Sequence, residues 1–222
     1  MLDTVMNYDE CLYKGVCTTK CSETCVRYVQ MDKLLELSNL PKRLRKPTRM
    51  ECPPEHPDFE AYTKLAEYKS NISANVKEGN NLLICSKFCG NGKTTWASKI
   101  MLKYFDETWF NSYGVTRGLF VHVPTLLNDI RGFDNCPEYI ERINEADLVI
   151  WDDIAYATSL TEFQSQQLLM YIDYRINECK SNIYTCNMVT KDEMTNKLGL
   201  RLASRIYNQS KVVEFISKDY RG

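Results

Sequence analysis

The residues of this chain best suited to chemistry occur in a short Gly-rich segment that follows an apolar run. The segment reads Gly90-Asn91-Gly92-Lys93-Thr94-Thr95 and follows Leu82-Leu83-Ile84-Cys85-Ser86. A triphosphate and its Mg²⁺ can be held by a lysine, a hydroxyl group and the backbone N–H groups of a glycine loop that opens a helix. The pattern therefore predicts that residues 90–95 bind ATP, with Lys93 on the phosphates and Thr94 on the magnesium.

One position departs from the usual spacing of such a loop. The glycine expected five residues before Gly92 is Lys87. An ordinary connection between a strand and a helix could also carry the same six residues. The assignment therefore depends on a second motif elsewhere in the chain.

The second motif is a buried-strand pattern that ends in two carboxylates. It reads Leu148-Val149-Ile150-Trp151-Asp152-Asp153. In nucleotide hydrolases, a carboxylate at such a strand end holds the magnesium, and a neighbouring one can polarise the attacking water. We therefore expect Asp152 to secure the magnesium and Asp153 to activate the water.

Two further features fit a nucleotide hydrolase, although each is ordinary when taken alone. Asn187 directly follows a strand pattern at 182–186, where its amide could contact the γ-phosphate and the attacking water. Arg201 and Arg205 are four residues apart and so share one helical face. An arginine given to a neighbouring subunit's nucleotide would make hydrolysis depend on assembly. Asparagine is also a common turn former, and surface arginines often only solvate a helix.

Four of the ten cysteines lie within the first 40 residues. They are Cys11, Cys17, Cys21 and Cys25. Four thiolates can enclose one zinc ion, and a segment this short needs such support to hold a shape. We therefore predict a zinc site, while reduced thiols along one helical face, an iron–sulfur cluster, or a set in which Cys52 replaces one ligand stay open as alternatives.

The elements that must position these residues alternate between strand and helix after residue 81. Strands are predicted at 82–86, 119–123, 147–151, 182–186 and 211–216. Helices are predicted at 31–38, 58–68, 94–104, 125–131, 137–144 and 161–178, the last with a Thr161-x-x-Gln164 capping box. This alternation predicts an α/β fold with a parallel sheet covered by helices on both faces.

Composition narrows the class of protein further. The chain has 222 residues, 44% of them hydrophobic and 26% charged, with a net charge of -1. Its mean hydropathy is -0.40. These values are typical of a globular protein rather than a membrane or disordered one, and they give no global attraction to nucleic acid. The N-terminus lacks the pattern of a secretion signal, so we expect a cytoplasmic protein and no membrane contact.

The composition also changes along the chain in a way that suggests three parts. Residues 1–40 contain the cysteine cluster, residues 41–57 form a basic, proline-rich stretch, and residues 58–222 contain the strand and helix pattern. We therefore predict a small N-terminal module, a linker and a nucleotide-binding domain.

The order of the motifs resembles the AAA+ family, and within it the bacterial and phage helicase loaders of the DnaC/DnaI type. The resemblance covers about residues 40–222. It implies an ATPase that binds a DnaB-type helicase hexamer through its N-terminal module and helps deliver it onto single-stranded DNA. By position, it implies that Asp153, Asn187, Arg205 and Arg201 are catalytic, with Arg205 the first candidate for the arginine finger.

The resemblance also implies self-association through the AAA+ interface and slow, assembly-dependent hydrolysis. Its cofactors would be ATP, Mg²⁺ and the zinc of the N-terminal module. Two other functions stay open. One is a transposition-assisting ATPase of the IstB type, which shares almost all the motifs. The other is a nucleotide-sensing adaptor with little hydrolysis, which Lys87 and Asp153 make reasonable.

Overall fold

The computed structural model describes residues 11–14, 17, 22, 25–46, 50–112, 114–131, 137–155 and 160–218. These residues form five strands and nine α-helices. The strands are β1 (Asn81–Ser86), β2 (Gly118–His122), β3 (Leu148–Asp152), β4 (Ser181–Cys186) and β5 (Ser210–Phe215). The helices are α1 (Val26–Leu37), α2 (Phe59–Ser70), α3 (Ile72–Lys77), α4 (Lys93–Thr108), α5 (Val123–Arg131), α6 (Pro137–Glu145), α7 (Glu162–Asn177), α8 (Lys191–Leu198) and α9 (Leu200–Asn208).

The five strands form one parallel sheet in the order β2-β3-β4-β1-β5. The predicted α/β class and all five predicted strands are confirmed, with strand ends that differ by one residue or not at all. Because the strands are parallel, their carboxyl ends meet at one edge of the sheet. The loop after β1 therefore lies at the same edge as the carboxylates after β3 and the polar residues after β4.

Both faces of the sheet are covered by helices. In β1, Leu83 and Cys85 join one apolar cluster with residues of α5 to α9, whereas Leu82 and Ile84 join a second cluster with residues of α1 to α4. Successive side chains of a strand point to opposite faces, so a strand buried on both sides must be apolar throughout. This explains why the core strands are continuous apolar runs.

The N-terminal helix α1 packs against the same body of the protein. Its Met31 and Leu34 belong to the apolar cluster that contains Ile100 and Phe105 of α4. Just after α1, the backbone N–H of Phe120 in β2 donates to the carbonyl oxygen of Ser38 at 2.7 Å. Residues 26–40 are therefore attached to the sheet and its helices, while the predicted boundaries at residues 40 and 57 stay predictions.

The predicted zinc module is not shown. In the described part of the chain, no group of three or more His, Cys, Asp or Glu side chains could hold a metal. Cys11, Cys17 and Cys25 belong to that part, whereas Cys21 lies outside it. The described N-terminal residues are held by other contacts, because Tyr13 donates a hydrogen bond to Asp106 of α4 at 2.8 Å.

Among the described helices, none combines the length and the apolar character that a membrane span requires.

Candidate nucleotide-binding site

The Gly-rich loop joins the end of β1 to the start of α4, and we call residues 87–92 the phosphate loop. Gly90 and Gly92 have φ angles of 80° and 88°, which is the left-handed region that side chains disfavour. The first turn of α4, with Lys93, Thr94 and Thr95, follows directly. The free backbone N–H groups of this helix start are the kind of site that binds phosphate.

A hydroxyl and an amide hold the phosphate loop in shape. Ser86 Oγ accepts hydrogen bonds from the backbone N–H of Phe88 at 3.1 Å and from Asn91 Nδ2 at 2.5 Å. Ser86 and Asn91 are both fully buried. Lys87, which replaces the usual first glycine, is exposed. The loop therefore closes without a glycine at that position, and Asn91 acts as its internal brace.

Lys93 lies inside the loop. Its Nζ donates to the carbonyl oxygen of Phe88 at 2.8 Å and to Asn91 Oδ1 at 3.1 Å. Only 6% of the residue is exposed, and this burial lowers the pKa of the ammonium group. A buried cation whose described acceptors are neutral oxygens is well prepared to receive an anion.

Asp152 contacts the first turn of α4. Its Oδ1 accepts a hydrogen bond from Thr94 Oγ1 at 2.8 Å and another from Thr185 Oγ1 at 2.7 Å. Burial raises the pKa of Asp152, and the two hydroxyl hydrogen bonds partly oppose that rise. A carboxylate and a hydroxyl at this distance form an oxygen donor set of the kind that Mg²⁺ prefers. The residues present therefore fit a magnesium ion.

Asp153 follows Asp152 in a strained turn. Its φ angle is 55°, which is uncommon outside glycine. The turn is held from β4, because the N–H of Asp153 donates to Thr185 Oγ1 and the N–H of Ile154 donates to the carbonyl oxygen of Thr185, both at 3.0 Å. Asn187 comes directly after β4, the strand between β1 and β3, and is half-buried at the same edge.

The two candidate arginines lie on α9, away from this group of contacts. Arg201 and Arg205 are both exposed. The Nε of Arg205 is 2.5 Å from the Oδ1 of Asp173 on α7, so this side chain is paired within its own chain. The described contacts connect neither arginine to Lys93, Thr94 or Asp152.

Sequence reasoning missed two residues of this site, Ser86 and Thr185. Each is a hydroxyl residue near the carboxyl end of a core strand and directly beside a predicted motif. That position was the available signal, but hydroxyl residues are also common in ordinary strands. Only the register of β1, β3 and β4 shows that the two hydroxyls face the phosphate loop and Asp152.

Comparisons with known proteins show what the fold resembles. No protein-family model and no curated protein sequence matches the chain. The crystal structure of the DnaC helicase loader is similar, with a TM-score of 0.62 and 19% identity over 74% of this chain and 93% of that one. The crystal structure of DnaI gives a TM-score of 0.65 and 18% identity over 85% and 100% of the two chains.

A third similar structure is the replication initiator DnaA bound to AMPPCP and single-stranded DNA. Its TM-score is 0.57, with 16% identity over 80% of this chain and 51% of that one. The predicted resemblance is thus confirmed at the level of the fold, which is similar to the folds of the DnaC and DnaI structures.

Proposed function

We propose that this protein is an ATP-dependent replicative helicase loader of the DnaC/DnaI type. A shared fold alone does not assign an activity, so the proposal depends on the site. The observation that carries it is the contact between Thr94 and Asp152 beside the buried Lys93, at the carboxyl edge of a sheet like that of a DnaC helicase loader.

The chain's own residues supply the parts of a nucleotide site. Lys93 and the start of α4 bind the phosphates, with Gly90, Asn91, Gly92 and Thr95 shaping and lining the loop. Thr94 and Asp152 would hold Mg²⁺. When bound, that ion would neutralise charge on the triphosphate. Lys93 Nζ donates to the carbonyl oxygen of Phe88 and to Asn91 Oδ1, so its third N–H remains for a phosphate oxygen.

Hydrolysis requires a positioned water and a stabilised phosphoryl group. We assign Asp153 to orient the water and Asn187 to sense the γ-phosphate, because both lie at the edge where β3 and β4 end. Arg205 is our first candidate for a finger that acts on a neighbouring subunit, with Arg201 as the second. Since Arg205 is paired with Asp173 in the single chain, it would have to exchange this partner on assembly.

The partners of the proposed loader are a DnaB-type helicase hexamer, single-stranded DNA and further copies of this chain in the cytoplasm. We assign helicase contact to residues 1–40, DNA or spacer roles to the basic stretch 41–57, and ATP hydrolysis to residues 58–222. Helix α1 packs on the same core as α4. A helicase bound to the N-terminal segment would therefore contact an element that touches the helix of the phosphate loop.

Nucleotide binding is tested with two lysine variants of the same loop. Lys93→Ala removes the buried ammonium and should abolish binding of a fluorescent ATP analogue in the presence of Mg²⁺. Lys87→Ala removes an exposed ammonium and should bind nearly as the unchanged protein does. If both variants and the unchanged protein bind the ATP analogue equally well, the proposed nucleotide site is wrong.

The partner is tested by pull-down against a DnaB-type hexamer, with a transposase and duplex DNA as the competing baits. We expect both lysine variants to capture the helicase. The unchanged protein should accumulate ADP, and single-stranded DNA should stimulate this hydrolysis. Selective capture of the transposase would support the IstB-type alternative. Persistent ATP after long incubation would support the adaptor. If the unchanged protein binds neither ATP nor the helicase, the proposal is overturned.

A further inference from the structure

Thr185 connects the two carboxylate residues of the site. Its hydroxyl donates to Asp152 Oδ1 at 2.7 Å and accepts the backbone N–H of Asp153 at 3.0 Å. Resting on the nucleotide site proposed above, we propose that Thr185 is a positioning residue that holds Asp152 for the metal and Asp153 for the water.

The directions of these hydrogen bonds follow from their chemistry. An ionised carboxylate can only accept, so the hydroxyl proton of Thr185 goes to Asp152. An amide N–H can only donate, so it takes a lone pair of the same oxygen. One hydroxyl group therefore satisfies both neighbours at once, and a methyl group at its place could satisfy neither.

The position of Thr185 in the sheet shields this hydroxyl from solvent. The residue is fully buried, and its Cα is paired with Ile84 of β1 in the register of the sheet. On the other side, the pairing of β4 with β3 reaches Trp151 and Tyr184, one residue before Asp152 and Thr185. Thr185 thus stands between the strand of the phosphate loop and the strand of the carboxylates, closed off from solvent.

The backbone after β3 also depends on Thr185. Asp153 has a φ angle of 55°, a left-handed conformation that is unfavourable for a residue with a side chain. Thr185 holds this turn twice, through its hydroxyl to the N–H of Asp153 and through its carbonyl oxygen to the N–H of Ile154. Without the hydroxyl, the carbonyl contact would remain but the N–H of Asp153 would lose its acceptor.

Two pairs of side chains at position 185, Thr with Val and Ser with Ala, differ mainly by the presence of the hydroxyl. Thr185→Val keeps the branched shape and loses the hydroxyl, whereas Thr185→Ser keeps the hydroxyl and loses the methyl group. Thr185→Ala completes the set, because it differs from Thr185→Ser by the oxygen alone. The four proteins therefore separate the positioning role from a purely structural packing role.

The experiment measures Mg²⁺-dependent binding of a fluorescent ATP analogue, kcat and KM for ATP, and denaturant unfolding of each protein. Loss of such a supporting hydrogen bond weakens metal binding or activity by about 10–100-fold, and we expect this loss in Thr185→Val and Thr185→Ala. Analogue binding measured without Mg²⁺ should change little. Thr185→Ser should retain the Mg²⁺ dependence and the kcat.

The proposal is overturned if Thr185→Val and Thr185→Ser lose Mg²⁺-dependent analogue binding and kcat to the same extent. The methyl group would then be the part of Thr185 that matters. It is also overturned if the Val variant keeps wild-type Mg²⁺ dependence. Should Thr185→Val not fold, the comparison of Thr185→Ser with Thr185→Ala decides by the same criteria.

The failure of the proposed function can be told apart from the failure of this inference. If the unchanged protein binds no nucleotide, the proposed function fails first. If it binds Mg²⁺ and ATP but no helicase, the inference about Thr185 still stands or falls on the binding data.

Discussion

Two residues of the candidate nucleotide site, Lys93 and Asp152, are both buried and carry opposite charges. Burial lowers the pKa of the Lys93 ammonium and raises the pKa of the Asp152 carboxyl. Each group is therefore less favourable in its charged form than it would be in water. A polyanion beside Lys93 and a cation beside Asp152 would each supply the interaction that burial has removed. The burial of the two groups thus favours binding of the ligand pair proposed for the site.

The backbone of the phosphate loop provides a prediction at the same scale. Gly92→Ala places a Cβ at a φ angle of 88°, which should cost about 1–2 kcal/mol in the free energy of unfolding. The new Cβ would also lie 3.0 Å from Met50 Cε, the flexible end of a side chain. Since Gly92 directly precedes Lys93, binding of an ATP analogue should fall as well. Denaturant unfolding and analogue titration measure the two effects.

Gly114 offers a matched control for the glycine prediction. Its φ angle is 71° and a Cβ there would meet nothing within 4 Å. Gly114→Ala should lose a similar free energy of unfolding but bind the ATP analogue normally. If the Gly92 and Gly114 variants lose nucleotide binding equally, the effect comes from general strain and not from the phosphate loop.

At the scale of the elements, a buried arginine joins the loops at the amino-terminal edge of the sheet. Arg175 of α7 is fully buried and donates to the carbonyl oxygens of Ile143, Ala146 and Ser181 at 2.6 to 2.7 Å. Its Nε also donates to Asn182 Oδ1 at 2.7 Å. Burial lowers the pKa of Arg175 to about 10, so the group stays charged at neutral pH. This one side chain ties the end of α6 and the start of β4 to α7.

Replacing Arg175 with methionine should therefore destabilise the whole fold. The substitution removes the Arg175 donor from three carbonyl oxygens and from Asn182 Oδ1, which keeps only Trp151 Nε1. Each buried acceptor left unsatisfied typically costs about 1–3 kcal/mol. Denaturant unfolding measures this loss. Arg201→Met, on the exposed face of α9, is the control and should change stability by no more than about 0.5 kcal/mol. A loss below 1 kcal/mol at Arg175 would contradict the bridging role.

The helices also show which local signals are reliable. The capping box at Thr161 and Gln164 predicts the start of α7, and the structure confirms it with both reciprocal hydrogen bonds. The same pattern, Thr190 with Glu193, opens α8, a helix that was not predicted. Helix α3, with only six residues, was also missed. A helix this short is stabilised by its packing and leaves little periodicity to read.

At the scale of the whole molecule, the first described residues are fastened to the helix of the phosphate loop. Arg27 Nη2 lies 2.5 Å from Asp106 Oδ1, and its guanidinium stacks over the ring of Tyr13 at 3.5 Å. Partial burial raises the pKa of Asp106, but the hydrogen bonds from Tyr13 and Arg27 outweigh it, so the pKa lies below its ordinary value of 3.8. The ionised carboxylate thus attaches Tyr13 and Arg27 to the far end of α4.

The sign of the pH dependence follows from this lowered pKa. The folded protein binds a proton at Asp106 less readily than the unfolded chain, so the contribution is complete above pH 3.8 and is lost as pH falls through the lower folded value. Asp106→Asn should therefore increase amide hydrogen exchange around Lys14 and Cys17 at neutral pH. The difference from the unchanged protein should vanish at acid pH.

Glu107→Gln is the control for this attachment. Glu107 pairs with Lys103 at 3.1 Å, and its described contacts do not include Tyr13 or Arg27. Its exchange pattern around Lys14 should match that of the unchanged protein. Equal protection in the Asp106 and Glu107 variants at neutral pH would refute the attachment.

The sequence by itself determined the parallel α/β fold and the group formed by Lys93, Thr94 and Asp152. Continuous apolar strands and glycine loops leave strong local patterns, and parallel strands bring their carboxyl ends to one edge whatever their order. The roles of Asp153, Asn187, Arg201 and Arg205 stay predictions.

Only the tertiary structure decided the rest. Strand order places Thr185 beside Asp152, and packing attaches Tyr13 and Arg27 to α4 where a zinc module was expected. Contacts between residues far apart in the chain depend on register and packing, which the local sequence pattern does not encode.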